Sequence, residues 1–212
     1  MAIFLIDCML NDFEAAKVIL LTRIFVDLNK INRKVTHIPR ILNLLIISGT
    51  GRKSGKTTLA CRIIEHFREV EPVAVKISFH FHEPSPGLVL CEDMHGYRIY
   101  RETCREGLKD TSRMLNAGAG EVYYIQADDS NVSEAFLHLL KVLKPGAPLI
   151  CESPALRKYF KPGLFFIADN KNISNRKDPG KLVGLADYIK EISDTQYLPE
   201  KLEYSDGRWI IT

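Results

Sequence analysis

Gly55, Lys56 and Thr57 stand together in the stretch LLIISGTGRKSGKTTLACRII, residues 44–64. A glycine lets the backbone close on a phosphate, a lysine ammonium reaches the β- and γ-phosphate oxygens, and a threonine hydroxyl is a ligand for Mg²⁺. In the commonest loop of this kind the first glycine lies five residues before the second. Here that position is Thr50, and glycines stand at Gly49 and Gly51. Counted from Gly49, the loop GTGRKSGKT is one residue longer than usual; counted from Gly51, GRKSGKTT is a shortened form. Either way the candidate nucleotide-binding residues are Gly49, Thr50, Gly51, Arg52, Lys53, Ser54, Gly55, Lys56, Thr57 and Thr58. The alternative is a glycine-rich turn that carries no ligand. Arg52 and Lys53 add two positive charges that favour a polyphosphate or an acidic second substrate.

Four further sets of residues bear on the chemistry. Glu152 ends the apolar stretch LICE and is a candidate ligand for Mg²⁺, directly or through water; the alternative is a carboxylate that caps the turn at Ser153-Pro154. Lys76, late in VAVKIS, either meets a phosphate or a substrate carboxylate or leaves the sheet for solvent, and Asp110 in KDTSR either faces the same crevice or serves a helix start. His80, His82, Cys91 and His95 are possible zinc ligands by type, but their spacing matches no common zinc pattern. Asn170 in FFIADNKN begins like a guanine-reading Asn-Lys-x-Asp, although position 173 is Ile; a turn asparagine is the alternative.

The elements that must hold these residues read as alternating strands and helices. The run ILNLLIIS is continuously apolar, as in a strand buried on both faces. After the loop, Leu59, Ile63, Ile64 and Phe67 repeat at helical spacing. PVAVKIS, EVYYIQA, APLICES and LFFIADN read as strands, with 79–102 a long polar connection. GLKDTSRMLNAGAG reads as a helix ended by glycines, DSNVSEAFLHLLKVL as a helix capped by Asp129 or Ser130, and KLVGLADYIKEI as a further helix. The tail KLEYSDGRWIIT reads as a hairpin about Asp206-Gly207. The expected fold class is α/β: a mostly parallel sheet with helices on both faces, over residues 41–212. Residues 1–40 form a leader with a helix expected over 12–30 and a possible cap at Asn11 or Asp12.

Several of these segments together resemble the molybdopterin-guanine dinucleotide biosynthesis protein MobB, a GTP-binding family of the P-loop class. They are the loop, VAVKISFHFHE, LKDTSRMLNAGAGEVYYIQA and LICES, in the expected order over most of residues 41–168. The spacing GTGRKSGKT is also similar to the loop of dethiobiotin synthetase. The chain departs from MobB in additional residues around SPGLVLCEDMHGYR, in its leader, and in Glu152-Ser153-Pro154 where that family has Glu-Gly. The resemblance implies a P-loop fold, Mg²⁺ with GTP or ATP, Lys56 and Glu152 as catalytic residues, and Thr57 with Glu152 at the metal.

Composition narrows the setting. Of 212 residues, 46% are hydrophobic and 26% charged, as in an ordinary globular protein. A formal net charge of +3 is too small to make nucleic acid or an anionic membrane the main partner. Five scattered cysteines suit a reducing compartment better than a disulfide framework, and the apolar start lacks a basic segment, so a cytoplasmic protein is expected. Three functions fit: a GTP-favouring nucleotide-binding protein with slow hydrolysis, in molybdenum-cofactor or related cofactor biosynthesis; a small-molecule kinase or ligase using ATP; or a nucleotide-gated adaptor with little turnover. The expected partners are a nucleotide and a small anionic second substrate or a biosynthetic protein, with a homodimer left open.

Overall fold

The computed structural model describes residues 38–153, 155–172, 180–191, 198–199 and 201–212. The expected leader helix at 12–30 lies outside them.

Eight strands form one sheet in the order β3-β4-β5-β2-β6-β1-β7-β8. These are β1 (Arg40–Gly49), β2 (Val73–Ser78), β3 (Leu88–Met94), β4 (Tyr97–Glu102), β5 (Glu121–Ala127), β6 (Leu149–Glu152), β7 (Lys161–Asp169) and β8 (Tyr188–Glu191). The pairings from β5 across to β8 are parallel, and β3-β4 and β4-β5 are antiparallel. Among the described residues three α-helices cover the sheet: α1 (Lys56–His66), α2 (Asp110–Asn116) and α3 (Val132–Val142).

The apolar run in β1 serves both faces. Leu44 and Ile46 pack with Phe136, Leu139 and Phe160 on the α3 side. Leu45 and Ile47 pack with Ile63, Ile64 and Met114 on the α1 and α2 side. A central parallel strand has no solvent face, so alternation of polarity is lost while alternation of direction remains. Near its start β1 shifts register against β7 between Ile41 and Leu45. Gly163 permits this, because a Cβ there would overlap the Leu42 carbonyl.

Helix α1 buries Leu59, Ala60, Ile63 and Ile64, one stripe at helical spacing. Helix α2 ends as the sequence suggests: Gly118 has φ 108°, its N–H donates to Leu115 O, and the Ala119 N–H reaches back to Met114 O. Those crossed bonds satisfy carbonyls that the helix end leaves open. Helix α3 starts later than expected. Asp129–Asn131 is a 3-10 turn, Asn131 is the cap residue, and neither Asp129 nor Ser130 caps the α-helix.

Two further expectations are corrected. The polar connection at 79–102 contains the hairpin β3-β4, which turns at His95-Gly96 between the paired Met94 and Tyr97. Strand β4 carries no clean period-2 signal: Tyr97, Ile99, Tyr100 and Glu102 are buried, on both faces, and Arg101 is exposed. KLVGLADYIKEI is not an α-helix: Gly180–Leu185 is a 3-10 turn and Tyr188–Glu191 is strand β8. The cause is a backbone clasp. The Asp187 N–H donates to Phe165 O at 2.8 Å, and the Phe165 N–H donates to Asp187 Oδ2 at 2.7 Å, which starts a parallel ladder along β7.

The tail hairpin is present as β9 (Leu202–Ser205) and β10 (Arg208–Ile211), turning at Asp206 and Gly207, both at positive φ. Its Trp209 is buried. The indole N–H lies 3.0 Å from Asn43 O and 3.2 Å from Leu149 O, and the ring meets Phe67 and Tyr204 edge-on. The hairpin therefore seals the α1 face of the sheet near the start of β6. No described helix is long and apolar enough to cross a membrane.

Candidate functional site

The carboxyl ends of β1, β2, β6 and β7 lie along one edge of the sheet, where open α/β sheets hold ligands. Strand β1 ends at Gly49, and the chain loops through residues 50–55 into α1. Gly55 has φ 91° and ψ 7°, the left-handed conformation that a Cβ would strain. Lys53 is also left-handed at φ 63°. Gly49 is needed for a different reason: a Cβ there would overlap Ser54 Oγ and stand 2.8 Å from Lys56 Cγ and 2.9 Å from Ala168 O. The loop folds back on its own start, and only a glycine fits beneath it.

Buried polar groups hold the loop. Ser54 is fully buried and Thr50 nearly so. The Thr50 N–H donates to Ala168 O, and Thr50 Oγ1 accepts from the Asn170 N–H. The Asn170 amide donates to Lys53 O at 3.2 Å, while its Oδ1 accepts from the Asn172 N–H at 3.0 Å. Both ends of this side chain thus bind the chain's own backbone and brace the loop against the end of β7. Arg52 and Lys53 project from the loop as exposed side chains.

Lys56 lies across the loop, donating to Gly51 O at 2.6 Å and Ser54 Oγ at 3.2 Å. Burial lowers its pKa below the usual lysine range, partly offset by the Glu152 charge and reinforced by the nearby Lys76 ammonium. An arriving phosphate would supply the counter-charge this lysine lacks.

Beside it lies a connected set of charges. Glu152 is buried, its Oε2 2.8 Å from Thr57 Oγ1 and its Oε1 3.2 Å from Lys76 Nζ. Lys76 also donates to Asp110 Oδ2 at the start of α2. Burial pulls the Lys76 pKa down, but the Glu152 charge and the Asp110 bond outweigh it and the net shift is upward. Burial likewise pushes Asp110 up, and Lys76, Thr57 and Arg113 more than reverse it, so Asp110 is held below the usual carboxylate range. Arg113 stands 3.7 Å from Asp110 Oδ1 and 3.5 Å from Thr58 Oγ1.

Glu152 does not cap the turn that follows it. The buried Ser153 hydroxyl does so, accepting from the Ala155 and Leu156 N–H groups, and leaves Glu152 facing Thr57 and Lys76. A hard-oxygen pair of hydroxyl and carboxylate is a donor set suited to Mg²⁺, so Thr57 and Glu152 would hold that ion. When bound it would supply charge neutralisation at the phosphates.

The histidine-rich segment does not assemble a metal centre. His80 and His82 approach to 5.8 Å between rings, Cys91 is exposed on β3, and His95 is exposed in the hairpin turn. Among the described residues no three His, Cys, Asp or Glu side chains are placed to hold a metal ion.

Glu102 escaped the sequence reading. It is buried at the end of β4 and accepts from the Thr103 and Cys104 N–H groups and from the Thr111 and Ser112 hydroxyls, at 2.7–3.1 Å. These bonds anchor the first turn of α2 and so position Asp110. The one available signal was Glu102 closing the strand YRIYRE, ahead of the hydroxyl pair Thr111-Ser112.

A Gly-Lys-Thr loop thus joins a strand to a helix at the carboxyl edge of a mostly parallel α/β sheet. No family model matches the chain, and no curated protein matches it in sequence. Among solved structures it is similar to the "apo" form of LpxK from Aquifex aeolicus, solved in complex with ATP. The identity is 12% and the TM-score 0.49, over 95% of this chain and 62% of that one. The chain thus spans less than two thirds of that protein's length.

Proposed function

We propose that this protein binds a nucleoside triphosphate with Mg²⁺ and transfers or slowly hydrolyses its γ-phosphoryl group. The observation that carries the reading is the joint placement of Lys56 over the loop and of Thr57 against Glu152, next to a backbone closed tightly by Gly49 and Gly55. Lys56 would move from the Gly51 carbonyl to the β- and γ-phosphates, and the N–H groups opening α1 would receive phosphate oxygens. Catalysis of this kind rests on positioning and on charge already in place. The resemblance to MobB makes GTP the favoured nucleotide and cofactor biosynthesis the expected setting. Since the Asn170 amide is engaged with the loop, base choice rests on that resemblance alone.

The second reading is a small-molecule kinase or ligase using ATP. It is favoured by Asp110 and Lys76, which link the loop site to a cavity on the α2 side of the sheet. Calorimetry with Mg²⁺ and ATP or GTP, on wild type and Lys56→Ala, tests the first reading. Equal affinity of the two proteins for both nucleotides sinks it.

A further inference from the structure

The cavity beside the loop has a volume of about 370 Å³, at the small end of metabolite pockets. Its floor is the sheet. Lys76 and Tyr124 sit opposite each other on β2 and β5 and point to the α1 and α2 face. One wall is the opening of α2, with Lys109 and Asp110. The other is the chain leading from β2 to the first residue of β3, with His82 and Leu88, and Glu83 lies in the same lining.

The second wall is pinned to the sheet. The buried Gln126 donates to His82 O at 2.9 Å, and Gly87 O receives both the N–H and the hydroxyl of Thr103 at 2.8 Å. Gln126 Oε1 is buried and accepts no hydrogen bond from the described residues. The cavity shares Lys76 and Asp110 with the loop site: Lys76 bonds Glu152, and Glu152 bonds Thr57. A molecule in the cavity therefore lies against the same two side chains that border the metal and phosphate residues.

The lining also sorts charge. Lys76 is matched by Asp110 and Glu152. Lys109 and Glu83 are both exposed and neither makes an ion pair among the described residues, so Lys109 is the cation left for a ligand and Glu83 the carboxylate it must avoid. Tyr124 offers a ring face, and Leu88 an apolar side for a short carbon skeleton.

We propose that this cavity is the acceptor site, and that it takes a small organic anion bearing a hydroxyl group. The anionic group is read by Lys109 and His82, and the hydroxyl is directed to Asp110. The proposal rests on the nucleotide-binding reading above. In the transfer, the acceptor oxygen bonds to the γ-phosphorus as the bond from that phosphorus to the β,γ-bridging oxygen breaks. The hydroxyl proton passes to Asp110, and the nucleoside diphosphate leaves with the electron pair. Asp110 suits this role by position, since it lines the cavity and is joined through Lys76 to Glu152.

The test uses γ-labelled ATP and GTP with glycerate, glycerol 3-phosphate and ribose 5-phosphate as probes, which separates a carboxylate from a phosphate anchor. Label is expected on at least one probe. Lys109→Glu is expected to raise KM for that probe about tenfold or more with a smaller effect on kcat, the pattern of lost uniform binding. Asp110→Asn is expected to lower kcat about a hundredfold or more. Ser85→Tyr, which narrows the cavity without touching α2, is a second variant expected to raise KM. Label passing only to water with every probe, by a protein that binds nucleotide in calorimetry, overturns the acceptor site; so does an unchanged KM in both Lys109→Glu and Ser85→Tyr. Absent nucleotide binding instead overturns the underlying reading.

Discussion

Lys76 and Glu152 stand in register on the neighbouring parallel strands β2 and β6, with Nζ 3.2 Å from Oε1. The same carboxylate accepts from Thr57 and the same ammonium donates to Asp110, so four elements meet in one chain of bonds. Removing the cation leaves Glu152 buried beside a neutral side chain. Lys76→Met is expected to cost about 1–3 kcal/mol, the usual penalty for an orphaned buried polar group. The midpoint of urea unfolding measures it, and an unchanged midpoint would show that the pair contributes nothing net.

The same bonds set a pH window. Asp110 has a lowered folded-state pKa, so its contribution is present above the unfolded carboxylate value and is lost as pH falls through the lower folded value. Lys76 has a raised one, so its contribution is complete below the ordinary lysine value and is lost as pH rises through the folded value. Wild type should therefore lose stability in acid more steeply than Asp110→Asn. Parallel acid limbs in urea titrations of the two proteins would rule this out.

Lys56 shifts the other way. Its burial disfavours the charged form until an anion arrives, so nucleotide binding at alkaline pH should take up protons. Calorimetry in buffers of different ionisation enthalpy reads that uptake directly. Lys56→Ala is expected to lose the uptake and to bind about 10- to 100-fold more weakly, the worth of a charge-assisted bond.

Gly49→Ala places a Cβ against Ser54, Lys56 and the Ala168 carbonyl. The loop must open to admit it, so nucleotide affinity should fall by more than tenfold, beyond about 1.4 kcal/mol. Wild-type affinity in this variant would mean that the loop is not the binding element.

Glu102 offers a prediction about folding. Four donors converge on it, so Glu102→Ala is expected to cost about 3 kcal/mol, while Glu102→Gln retains part of the network. The chain has a single tryptophan, Trp209, a buried residue of the tail hairpin, and its fluorescence follows the unfolding. A loss in Glu102→Ala no larger than in Glu102→Gln would show that the anchored turn of α2 does not depend on the carboxylate.

The amino-acid sequence by itself determined the loop and the elements around it. A buried parallel strand is an apolar run whatever lies beside it, and the left-handed conformation of Gly55 is a demand of local sterics. Both are written in consecutive residues, as are the stripe of α1, the glycine ending of α2 and the Asp206-Gly207 turn. The tertiary structure alone decided what depends on partners far along the chain. Glu152 and Lys76 are chemically ambiguous one at a time; only the β2-β6 register places them together and turns both toward Thr57. Asn170 carries the same side chain in a base-reading site as in a turn, and the approach of Lys53 O sets its present use. KLVGLADYIKEI could satisfy its backbone in either of two ways, and the Asp187 clasp on Phe165 selects the strand. The cavity has no sequence signature, because its floor, its two walls and its link to the loop come from separate segments that the sheet order brings side by side.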